Sequence, residues 1–136
     1  MANFPNFAST PRANQSQIST ANTARDGSGT LVDIVVAGAS GTRIDQIKIK
    51  ATGTTTAGMI RLFISDGTTN RLWKEIAVAA ITPSGTVQSW ESNDADLRTP
   101  AGDGTPLLAL PSGYRLKAAP HNAETFNVLV TSGADF

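Results

Sequence analysis

The sequence predicts an all-β protein, an antiparallel β-sandwich. Three observations carry that prediction. Short runs alternate apolar and polar side chains with period two, the mark of half-buried strands. Turn residues recur every 8–14 residues between those runs. No window combines helical periodicity with helix caps. Eight or nine short strands follow. Eight suit a jelly roll, although spacing alone leaves the topology open.

Taken in order, residues 1–29 stand apart as an N-terminal arm. The arm carries Pro5, Pro11 and many small polar residues, with only Phe4, Phe7 and Ile18 as large apolar side chains. Such a segment buries too little apolar area to order itself, so it is expected to be partly extended or disordered when free. Residues 16–24 also read as a first, polar strand. A single sandwich domain is expected over 30–136. Residues 30–37 (TLVDIVVA) are β-branched and apolar, and Gly38–Gly41 breaks them. Residues 43–51 place Ile47, Ile49 and Ala51 on one face, with Lys48 and Lys50 on the other. After the turn 52–58 (TGTTTAG), residues 59–65 alternate again, and Asp66-Gly67 is a hairpin signal. Residues 70–79 set Leu72, Lys74, Ile76 and Val78 opposite Arg71, Trp73, Glu75 and Ala77. A short strand is expected at 86–90, a polar loop at 91–104, and apolar or alternating strands at 106–110, 114–118 and 125–131.

The composition narrows the function. There are 136 residues, enough for one domain with its own core. With no cysteine, disulfides, thiol catalysis and Cys-ligated zinc are excluded. Eleven basic and eleven acidic side chains cancel, which removes the broad positive footprint of a nucleic-acid binder. No apolar run approaches the ~20 residues that span a bilayer, and no secretory signal is visible, so neither a membrane anchor nor export is expected. Charged residues make up only 16%, while Gly, Ser, Thr and Asn exceed a third of the chain. Such a surface of hydroxyls and amides points to a protein used for contacts.

Few residues suggest chemistry. The turn in 31–43 (LVDIVVAGASGTR) has two of the three glycines of a dinucleotide-binding turn. The period-two run that follows makes a strand where that site needs a helix. Nor is it a GxSxG elbow, so Ser40 is no nucleophile. His121, the one histidine, reads as a turn residue whose ring bonds local backbone. Glu91, Asp94, Asp96 and Asp103 supply hard oxygen ligands, but without EF-hand spacing and with Arg98 to neutralise them. The reading is a solvated acidic loop and no metal site. Lys48, Lys50, Arg61 and Arg71 read as ordinary outward charge that also discourages edge pairing. No catalytic, cofactor or metal residues are assigned, and no enzyme is expected. The interface candidates are Phe4 and Phe7 on the arm, and Trp73 and Trp90 at or near strands. Trp is enriched at interface hot spots, with core packing the default for both.

Four stretches carry a resemblance: 23–30 (TARDGSGT), 38–67 (GASGTRIDQIKIKATGTTTAGMIRLFISDG), 71–78 (RLWKEIAV) and 121–136 (HNAETFNVLVTSGADF). They resemble a group of small virion proteins of tailed bacteriophages and prophages. The resemblance spans about residues 23–136 and implies a jelly-roll capsid decoration, or cement, protein. It implies a dimer or trimer on the outside of the shell, with the major capsid protein as partner; that neither nucleic acid nor membrane is expected as a partner rests on the charge balance and the lack of a long apolar run. The protein would be made in the host cytoplasm and end on the capsid surface. A neck, tail or fibre-associated virion component is the alternative, and a carbohydrate-binding β-sandwich the alternative of a different class.

Overall fold

The computed structural model describes residues 8–99 and 105–136. Among the described residues nine strands form: β1 (Thr10–Pro11), β2 (Asn14–Ile18), β3 (Val32–Val36), β4 (Thr42–Ala51), β5 (Gly58–Ser65), β6 (Asn70–Val78), β7 (Leu108–Leu110), β8 (Arg115–Pro120) and β9 (Phe126–Asp135). One 3-10 turn, Asp94–Asp96, is capped by the Asn93 side chain, which accepts from the Ala95 amide. The strands make two antiparallel sheets that pack face to face, the β-sandwich that the alternation predicts. In the first sheet β1 and β2 both pair with β9, followed by β4 and β7; the second runs β3-β8-β5-β6. With β1 and β2 counted as one interrupted strand, the pairing is nested: first with last, second with seventh, third with sixth, fourth with fifth.

The interior is built from the inward residues of both sheets. Ile44, Ile47, Ile49, Phe126, Val128 and Val130 of the first face Ile34, Val35, Ile60, Leu62, Leu116 and Ala118 of the second, and all are buried. Strict period two would not achieve this. In β4, Ile44 and Ile47 lie three apart, so alternation from Ile47 would turn Arg43 and Asp45 inward. Register irregularities on either side of Gln46 reset the phase. Ile44 then points in, and Asp45 stays at the surface to accept from Arg43 Nε at 2.7 Å. A similar shift between Asp33 and Val35 lets Ile34 and Val35 both be buried.

A third irregularity, opposite Leu62 and Phe63, changes the reading of β6. Ile76 and Val78 face the core as expected, but beyond the bulge Leu72 is exposed and Trp73 packs against the core. The Lys74 ammonium sits 5.3 Å from the Trp73 ring. Trp90 is also a core residue: it is 7% exposed and meets Phe126 edge-on, with centroids 5.8 Å apart.

Other differences have local causes. Residues 86–90 do not form a strand: the Ser84 amide donates to the Val87 carbonyl, closing a turn, and Val87 is exposed. Instead, 90–99 runs along β4. Ala51 N donates to Trp90 O, Ile47 N to Leu97 O and Thr99 N to Asp45 O, while Ile49 N is met by the Ser92 hydroxyl at 3.0 Å. Strand β9 continues to Asp135, past the expected end at 131, because β1 and the start of β4 extend the pairing. Of the residues read as an arm, 10–11 and 14–18 pair with β9 of the same chain, and Ile18 is fully buried. Phe4 and Phe7 lie outside the described residues.

A Trp90→Ala substitution removes a buried ring and its partner contact. It is expected to cost about 3–5 kcal/mol, read as a lower urea midpoint at unchanged slope. Trp73→Ala, at a partly buried position, is expected to cost less.

Candidate functional site

Outward-facing residues of a sandwich strand should meet water. On β5 they do not: Arg61 and Phe63, on the side of the second sheet away from the core, are 1% and 0% exposed. A segment of residues 19–31, joining β2 to β3, straps that face. Asn22 folds the strap on itself: its Nδ2 donates to the carbonyls of Ser28 and Thr30, and its Oδ1 accepts from the Ala24 amide. The Asn22 amide then donates to Pro120 O at the end of β8. At the other end Asn70 Nδ2 donates to Gly27 O at 3.1 Å. Gly27 has φ of +90°, and a Cβ there would fall 2.3 Å from the Asn70 carbonyl oxygen. Only glycine permits this approach.

Beneath the strap Arg61 is held on three sides. Its Nε donates to Glu75 Oε1 at 2.9 Å, across the β5–β6 register. Its Nη1 reaches the Asn22 carbonyl at 3.3 Å and His121 Nδ1 at 3.2 Å. Arg25, on the strap, also donates from Nε to Glu75 Oε1. These two guanidiniums, Arg25 first and then Arg61, hold the Glu75 carboxyl below its ordinary value. Since a guanidinium only donates, His121 Nδ1 must accept, which leaves the neutral ring's proton on Nε2. The expectation that the His121 ring bonds local backbone gives way here to a contact with a residue sixty positions away; its backbone amide donates to Met59 O. Arg25, Met59, Arg61, Ala77, Val78 and His121 line an open cavity of about 400 Å³.

The other candidates fall elsewhere. A shallow groove of about 480 Å³ on the outer face of the first sheet is lined by Gln15, Gln17, Asn127 and Leu129. Among the acidic residues of the 91–104 loop, Glu91 and Asp94 are spent on Lys48, at 2.6 and 2.9 Å. That contact raises the Lys48 pKa and lowers that of Glu91. For Glu91 and Asp94 the neutralising partner is thus Lys48 and not Arg98, and Asp103 lies outside the described residues. Among the described residues no group of three or more His, Cys, Asp or Glu is placed to hold a metal ion. No helix of the described residues is long and apolar enough to cross a membrane. The four basic residues do not form one stripe: Lys48 and Lys50 are on the first sheet, Arg61 and Arg71 on the second. The GASG turn leads into β4, as expected, with the Gly38 amide on Thr42 Oγ1 at 2.9 Å.

The strap and its buried arginine were not legible as a site. Arg61 alternates with Ile60, Leu62 and Ile64 and so reads as solvated. The signal that points the other way is Asp26-Gly27-Ser28-Gly29, where one glycine of positive φ sits inside the turn closed by Asp26 Oδ1 on the Ser28 amide and a second follows it. In comparisons with known proteins, no family model matches the chain, and no curated protein matches its sequence.

Glu75 gives the site a pH signature. Its folded pKa lies below the unfolded value of 4.5, so its contribution is present above that value and is lost as pH falls below it. Glu75→Gln is expected to lower the urea midpoint at neutral pH. Below pH 4.5 the gap between variant and wild type should shrink; a constant gap across that range refutes this account.

Proposed function

We propose that the chain is a non-enzymatic structural protein of a tailed-phage virion, a decoration protein on the outside of the head. The observation that carries this reading is the resemblance of 23–30, 38–67, 71–78 and 121–136 to small virion proteins. Those residues make up the strap, the β4–β5 and β6 strands, and β9 with the turn before it. The nested strand order also supports it, because we read it as a rolled-up hairpin, the wrap of a jelly roll.

A protein of this kind works by burying surface between shell subunits. It stabilises the shell by mass action, binding the assembled lattice in preference to loose subunits. Many copies repeat a modest contact, so a dimer or trimer gains more from avidity than from one tight site. A surface low in charge limits the desolvation that close packing demands. In this reading the partner is the major capsid protein.

The test is the composition of purified particles from the producing culture. The band for this chain should co-sediment with the shell and approach a whole-number ratio to the shell subunit, giving hundreds of copies. About a dozen copies would instead place the chain at the neck or tail; absence from particles would overturn the proposal.

The arm can be tested separately. Because Ile18 is core, deletion through residue 20 would remove β1 and β2 and unfold the sandwich. Removal of residues 1–7, with Phe4 and Phe7, leaves every described strand intact. That variant is expected to melt like wild type and to bind shells with reduced occupancy. Unchanged occupancy removes the arm from assembly.

A further inference from the structure

We propose that the cavity beside Arg61 is a binding site for a carboxylate carried on a short apolar stem. The argument begins with unspent donors. A guanidinium has five N–H groups. In Arg61, Nε serves Glu75, and the two Nη1 hydrogens serve Asn22 O and His121 Nδ1. Nη2 makes no hydrogen bond among the described residues. Nor is it a sealed orphan: among them, the buried side-chain polar atom lacking a hydrogen bond is Asp33 Oδ1, on the edge strand β3 beside Lys117. Nη2 of this buried residue therefore borders the cavity that Arg61 lines.

Two further donors meet it. His121 lines the same cavity, and its Nε2 carries the ring proton because Nδ1 is committed to Arg61. Arg25 also lines the cavity, with its Nη groups making no hydrogen bond among the described residues.

The charge selects the ligand. Two guanidiniums share one carboxylate, Glu75, which leaves one net positive charge. Glu124, in the adjoining corner, accepts from the amide and hydroxyl of Thr56 and does not line the cavity. One net positive charge among these three groups, with the free Nη1–Nη2 edge of Arg25 as a planar donor fork and Arg61 Nη2 as a single donor beside it, suits a single carboxylate better than a dianion. Met59, Ala77 and Val78 supply an apolar wall for the stem, and the volume lies within the usual range for small-ligand sites. A free short-chain acid and a glutamate side chain on a neighbouring protein present the same chemistry.

The experiment uses the full chain at neutral pH. Backbone amides of 58–61 and 77–78 and the His121 ring are followed by NMR during titration with butyrate, with capped N-acetylglutamate amide, and with butyramide and inorganic phosphate as controls. Saturable shifts with a Kd on the order of 1 mM are expected for at least one carboxylate, and the tighter of the two identifies the source. Arg25→Ala should weaken binding about tenfold. His121→Ala should weaken it, and His121→Gln, which restores an acceptor for Arg61 and a donor for the ligand, should rescue it. Arg25→Ala leaves every hydrogen-bond partner of the buried Arg61 in place. Shifts that never saturate, that butyramide reproduces, or that persist unchanged in Arg25→Ala overturn the site. Phosphate binding as tight as butyrate overturns its assignment to carboxylates.

Discussion

The layer of apolar side chains between the two sheets is the constraint on which everything else depends. Apart from the β5–β6 hairpin and the step from β1 to β2, each connection between successive strands carries the chain from one sheet to the other. Neither sheet can therefore be completed before the other exists. The main ladders join residues far apart in sequence, such as β2 with β9 and β3 with β8. Pairings of that kind incur loop-closure entropy before they yield any contact. What offsets that cost is burial of Ile, Val, Leu and Phe from both sheets at once. The bulges in β3, β4 and β6 serve the same end, because each turns an apolar residue inward where strict alternation would have placed it outside.

The second sheet carries a smaller layer on its other side, and that layer is polar. Burial of a charged guanidinium is costly unless its hydrogen bonds are made. Arg61 meets that condition through Glu75, the Asn22 carbonyl and the His121 ring. The strap thus has two roles: it shields most of Arg61 from water, and its backbone supplies one of the acceptors that makes the burial tolerable. The close passage at Gly27 sets how near the strap can lie.

The strands were legible wherever apolar residues kept period two. Residues 32–36, 42–51, 58–65 and 70–78 fall close to where alternation and the Asp66-Gly67 turn put them. Bulges were not legible, since the sequence shows only a change of phase; hence Leu72 and Trp73 exchange roles. Segment 86–99 misled for a different reason. Val87 and Trp90 look like strand residues, yet 90–99 follows β4 by scattered backbone contacts and a serine hydroxyl, which have no period. The site beneath the strap was hidden because the partners of Arg61 come from residues 22, 75 and 121. Proximity of that sort belongs to the topology.

The path of 90–99 along β4 has a consequence for assembly. An open sheet edge is a template on which another copy can add a strand. Along β4 the amides of Ile47, Ile49 and Ala51 are already taken, one of them by a side chain that no incoming strand can mimic. On the opposite flank, Asn14 and Ser16 of β2 donate from their side chains to carbonyls of β3 and tie the two sheets together. The long β6 rim is guarded differently, by Arg71, Lys74 and Glu75. Growth of a continuous sheet from copy to copy is thereby discouraged at these margins. Copies that associate are steered toward joining through their faces, which favours closed, countable assemblies over fibres.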